Sequence, residues 1–113
     1  MKSLWARYEE EVLGEQRKYI EHDWGFIAYE FLADSVLHVV HIYVVPERRK
    51  EGLALQLVRE AEQIGKEAGM KWTLGHIELG RATTQNSFKA HLAAGFVPCH
   101  TEPGMVFLKR AIE

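Results

Sequence analysis

Disulfide chemistry is out of reach for this chain. Cys99 is its only cysteine, so no intrachain bridge can form and no cysteine pair has metal-binding spacing. A lone thiol fits a reducing cytoplasm. Charge of one sign is equally scarce. Lys and Arg number 14 against 16 Asp and Glu, for a net charge of −2, which gives no general surface for nucleic acid or membrane. The apolar run from Val36 to Val45 is too short to span a bilayer and carries His38 and His41. The N-terminus is charged and lacks the apolar core of a signal peptide. Repeats, linkers and low-complexity segments are missing too. Histidine is plentiful by comparison, with six. None forms a His-x-x-x-His pair on a predicted helix, and His38-x-x-His41 falls on a strand, so no metal is expected.

What is present describes an ordinary globular protein. Its 113 residues, 47% apolar and 27% charged, suit one domain over 1–113 with a useful core. Ser3 can cap a first helix reaching about Ile20, with Trp5, Tyr8, Val12, Tyr19 and Ile20 as a rough stripe. Gly25 to Ala33 reads as a strand and Asp34-Ser35 as a turn. Val36 to Val45 is apolar enough for a central strand. Leu53, Leu57, Ala61, Ile64 and Ala68 share one helical face, leaving Glu60, Glu62, Lys66 and Glu67 to solvent. Met70 to Leu79 returns as a strand, parallel to the previous one across a right-handed crossover, and Gly75 marks a bulge. Thr83 or Thr84 caps the next helix, with Phe88 and Leu92 as its core stripe and Thr84, Ser87 and His91 beside it. Phe96 to Cys99 and Met105 to Lys109 close the chain as a hairpin. The fold class is α/β: a mixed, mostly antiparallel sheet of about five strands, with helices on both sides.

The chain turns on Val44 to Ala54. Pro46 stops the strand, and Arg49-x-x-Gly52-x-Ala54 crosses into the helix. Its small residues leave the backbone approachable. A helix N-terminus with Arg48, Arg49 and Lys50 beside it favours an anion, especially a phosphate. The same segment also serves as a simple strand-to-helix connection.

This stretch resembles the pyrophosphate loop of the GNAT superfamily of N-acetyltransferases, which reads Arg/Gln-x-x-Gly-x-Gly/Ala between a strand and a long helix. The likeness continues through the next strand, the helix near Thr84 to Ala94, and Gly95-Phe96, covering roughly Trp24 to Leu108. It implies a splayed parallel strand pair, acetyl-CoA as cosubstrate without a metal, and direct attack by a primary amine in a ternary complex. The acceptor is a small-molecule, peptide or protein amine. On the resemblance, Ile42, Tyr43 and Val44 line the cofactor arm. Backbone N–H groups of Lys50, Glu51, Gly52, Leu53, Ala54 and Leu55 hold the pyrophosphate, with the charge of Arg49 nearby. Thr84, or Asn86 two residues on, supplies a further polar contact.

For the general base the candidates are His38, His41 and Glu78, with His76 on the face of Glu78 as its partner. His38 and His41 point to opposite faces of a regular strand, so both serve one site only if a bulge intervenes. His91 stands where the family commonly has a Tyr as general acid. Glu51, an acid inside a phosphate loop, is a departure from the pattern. So is the short N-terminal region, which leaves little room for the usual first strand and two helices. Together these departures support a second reading, a GNAT-like acyl-CoA-binding or assembly module with little or no turnover. Trp5, Tyr8 and Trp24 with a truncated acceptor side would suit a homodimer.

Overall fold

The computed structural model describes Ser3, Leu4, residues 17–82 and residues 84–113. Strands β1 (Lys18–His22), β2 (Gly25–Leu32) and β3 (Val36–Val44) lead to helix α1 (Leu53–Glu67). Strand β4 (Trp72–Glu78), helix α2 (Thr84–Ala93) and strands β5 (Val97–Glu102) and β6 (Met105–Ala111) follow. They form one six-stranded sheet in the order β1-β2-β3-β4-β6-β5, in which β3 and β4 alone run parallel. Among the described residues, no helix is long and apolar enough to cross a membrane.

Six strands replace the five read from the sequence, because β1 was assigned to a helix ending at Ile20. Tyr19 and Ile20 instead lie in a strand paired with Ala28 and Ile27. A two-residue connection from His22 to Gly25 closes this hairpin, and its ladder supplies what an isolated helical pattern cannot show. Trp5, Tyr8, Val12 and Thr83 lie outside the described residues.

The core is built on the helix-bearing face. Ile27, Leu37, Leu57, Ala61 and Leu108 are fully buried there. On α1 the buried line runs through Leu57, Val58, Ala61 and Gly65, while Ile64 is 41% exposed. Gly65 lies against Leu37, so the missing side chain lets the helix sit close to the sheet. On α2, Leu92 is 52% exposed, and His91 takes the inward position beside Phe96. The short α2 packs chiefly on β4.

Glu62 departs from the expected solvent-facing role. Its carboxylate accepts from Arg110 Nη2 at 2.5 Å and from the hydroxyl of the fully buried Thr73. Arg110 also donates to the carbonyl of Ala94 at 2.7 Å. The Glu62 and Arg110 side chains are 12% and 17% exposed, so this pair ties α1, β4, β6 and the end of α2 inside the protein. Removing one partner strands a desolvated charge. Arg110→Leu is therefore expected to cost about 3 kcal/mol in urea unfolding. Arg110→Leu combined with Glu62→Leu should cost clearly less than the two single changes added.

Candidate active site

The site begins where β3 and β4 part. Only Val36, Leu37 and His38 pair with Trp72, Thr73 and Leu74. Beyond them the strands diverge, while β3 continues along β2 and β4 along β6. On β3, Val39 pairs with Tyr29 and His41 with Ala28, so Val40 is an extra residue in a β-bulge. The bulge has a direct consequence for the histidines. His38 is opposite Glu30 and His41 opposite Ala28. Glu30 and Ala28 share one face of β2, so His38 and His41 share that face as well.

A cavity of about 240 Å³ fills the gap between the strands. His41 and His76 line it from the face opposite the helices Leu53–Glu67 and Thr84–Ala93; Val58, His91 and Phe96 line it from the face those helices cover. Gly75 also lines it. The register of β4 is continuous there, so Gly75 makes no bulge, contrary to the sequence reading. Its role is spatial: a Cβ at Gly75 would meet His91 Nε2 at 3.2 Å. The His91 ring is held from its other side, because Nδ1–H donates to the Ser87 carbonyl at 2.7 Å. That bond leaves Nε2 toward the cavity wall.

A larger cleft of about 770 Å³ adjoins the cavity through Ile42. Ile42, Tyr43, Val44, Arg49, Lys50, Gly52, Leu53, Ala54, Leu55 and Asn86 all line it. Ala90, Ala93 and Ala94 form its α2 wall and were not singled out from the sequence, although their i, i+3, i+4 spacing marks a small-residue stripe. At its mouth α1 begins on Gly52, whose φ of 78° is left-handed and which has no side chain to cap the helix. The first amide donors of α1 thus lack intrahelical acceptors and face a basic turn. Of its cations, Arg48 pairs with Glu51 at 3.1 Å, and Arg49 Nε donates to the Val44 carbonyl at 3.0 Å. Lys50 has no side-chain partner among the described residues.

The other candidates divide. Thr84 lies off the cleft, its hydroxyl donating to the Glu78 carbonyl at 2.8 Å and accepting from the Arg81 N–H at 3.1 Å. Glu78 pairs with Arg81 rather than with His76. His76 Nδ1 instead lies 3.4 Å from His38 Nε2, and His38 Nδ1 lies 2.9 Å from Glu30. His41 is exposed, and its side chain makes no hydrogen bond among the described residues. No group of three or more His, Cys, Asp or Glu among those residues could hold a metal ion.

Burial pushes the His76 pKa below the ordinary 6.5, and His38, His41 and His91 push it further down, against an opposing pull from Glu78. The folded protein therefore binds fewer protons at His76 than the unfolded chain does, and stability falls as pH drops from 6.5 toward the lowered value. Melting temperatures measured over that window should decline toward acid, less steeply in His76→Phe than in the parent.

The family model described as Acetyltransferase (GNAT) family matches residues 3–96. Against curated proteins the sequence finds no match. Among solved structures, PaiA N-acetyltransferase from Thermoplasma acidophilum in complex with coenzyme A superposes with TM-score 0.73 at 18% identity, over 91% of this chain and 65% of that one. The Bacillus subtilis acetyltransferase in complex with CoA gives 0.71 at 17%, over 95% and 84%. Nourseothricin acetyltransferase gives 0.70 at 19%, over 79% and 58%. The chain thus spans under two thirds of the Thermoplasma and nourseothricin proteins.

Proposed function

Because this chain belongs to the GNAT family of acetyltransferases, we propose that it uses acetyl-CoA to acetylate a primary amine by direct attack. The observation that carries this reading is that the cleft over the basic turn and the cavity between β3 and β4 adjoin at Ile42. In this reading the pyrophosphate sits on the amides of Lys50 to Leu55, next to Lys50 and Arg49. The pantetheine arm runs between Ile42–Val44 and the alanines of α2. The arm can bond to the backbone of β3, which has no β4 partner beyond His38. The thioester then enters the cavity from the helical face. The amine arrives on the opposite face, where His38, His41 and His76 lie.

The chemistry follows from that placement. The incoming ammonium gives one proton to a base, and the amine lone pair attacks the thioester carbon. The carbon–sulfur bond breaks, and coenzyme A leaves as a thiolate. In this reading His91, next to the cleft wall at Ala90, protonates that sulfur from Nε2 when it carries the imidazolium proton, and takes the second nitrogen proton in return. A charged acceptor, whether a small molecule or a protein amine, meets no net basic surface on a chain of charge −2.

The second reading, an acyl-CoA-binding module without turnover, is favoured by one observation. Glu51 occupies Arg48, so the phosphate turn carries less free positive charge than its sequence promises.

Isothermal titration with acetyl-CoA, and with ATP as comparison, tests the cofactor site. Acetyl-CoA should bind saturably. At 100 times its Kd it should stabilise the fold by about 2.7 kcal/mol. Gly52→Val places a branched side chain at a left-handed φ and should weaken binding by about tenfold or more, or ~1.4 kcal/mol. Absence of binding at millimolar acetyl-CoA ends the acetyltransferase reading. Binding without coenzyme A release, across an alkyl diamine, an amino sugar, an amino acid ester and a lysine peptide, favours the silent module. Relief of the Arg48–Glu51 pair by Glu51→Gln should tighten binding by about twofold to fivefold at low salt and lose that gain at high salt.

A further inference from the structure

Polar groups on the sheet face opposite α1 and α2 form a chain from β2 to β4. Glu30 Oε1 is 2.9 Å from His38 Nδ1, and His38 Nε2 is 3.4 Å from His76 Nδ1. The Glu30 and His38 side chains are 19% and 17% exposed, so water competes weakly for them. Directionality follows from donor chemistry. An ionised carboxylate only accepts, so His38 Nδ1 carries the proton facing Glu30. When His38 is neutral its Nε2 offers only a lone pair, and His76 donates to it from Nδ1–H. Neutral His76 is thereby left with an unprotonated Nε2, and its ring lines the cavity between the parted strands.

We propose that Glu30 and His38 are positioning residues that hold His76 in this tautomer, and that His76 Nε2 is the base that deprotonates the amine. The inference rests on the acetyltransferase reading above. It assigns the base among residues that the fold alone leaves equivalent. The proton accounting closes. The ammonium R–NH3+ passes one proton to His76 Nε2, giving an imidazolium. R–NH2 bonds to the acetyl carbon, whose bond to sulfur breaks. His91 gives its imidazolium proton to the coenzyme A thiolate and is restored by the second nitrogen proton, and the His76 imidazolium returns its proton to solvent, leaving R–NH–CO–CH3.

The surroundings suit the role. Facing His76 are His38 and His41 from β3, Glu78 on its own strand with Arg81 paired to it, and His91 from α2. Phe107 of β6 covers the ring from the remaining side. Burial above all lowers the His76 pKa, which favours the neutral ring that a base needs in order to accept. Glu30 supplies the compensating charge once the proton arrives, through His38. The arrangement is a carboxylate orienting an imidazole, extended by one ring.

Long-range 15N NMR of the histidine rings tests the tautomer with acetyl-CoA bound, because ring nitrogens with and without a proton differ in shift. In the parent protein, His76 should show a protonated Nδ1 and an unprotonated Nε2 at pH 7.5. In His38→Phe, Nδ1 loses its acceptor and signal should move toward the Nε2–H form. A His76 already in the Nε2–H form, or unmoved by His38→Phe, overturns the relay. Turnover with the amines above gives the second arm. His76→Phe should lower kcat/KM by about 100-fold or more, as loss of a general base does. Glu30→Gln should lower the plateau less and move the acidic limb to lower pH, which a merely structural role would not do. Full activity in His76→Phe also overturns the assignment. Failure of acetyl-CoA to bind overturns the acetyltransferase reading instead, and is seen separately by titration.

Discussion

The parting of β3 from β4 is the constraint on which everything else depends. Backbone donors and acceptors in a sheet interior must find partners, and a strand can leave its neighbour only if the other edge still holds it. Here β2 holds β3 to its end, and β6 holds β4. The bulge at Val40 bends β3 where the separation begins. What opens is a gap through the sheet, with unpaired main chain along one side. A ligand with amide groups can bond to that edge as a further strand would.

The gap separates two kinds of electrostatics. At the helical face lie the amide donors of α1 and the cations of the turn, a place for negative charge. At the other face lie histidines in contact with one another, a place where protons move near neutral pH. Neither end is strongly charged. Arg48 is offset by Glu51, and Arg49 is engaged with the Val44 carbonyl and with the Tyr43 ring at 5.8 Å. The free contribution therefore comes chiefly from Lys50 and from the backbone.

The parts of the fold legible in the sequence were those governed by near neighbours. The basic turn, the helix after it, the crossover to β4 and the closing hairpin all rest on local spacing and turn chemistry, and each is present in the fold. Other elements depend on partners far along the chain. β1 looked helical because its partner, β2, is invisible in a single-segment pattern. Glu62 looked exposed because Arg110, 48 residues away, cannot be seen to approach it. Leu92 looked buried because periodicity alone does not say how little of α2 the sheet covers.

The candidate site divides in the same way. The cleft residues between Ile42 and Leu55 were readable because they cluster in one short segment around a recognisable turn. Only the tertiary structure decided which histidines meet. One extra residue in β3 turns His41 to the face of His38, and a register set by three parallel pairs brings His76 to within 3.4 Å of it. By itself the sequence determined where a cluster of cations and a helix N-terminus coincide, since both arise within one short segment. It could not determine the proton-handling end, because bulges and strand registers are settled by packing across the sheet, where a shift of one residue reverses every side chain.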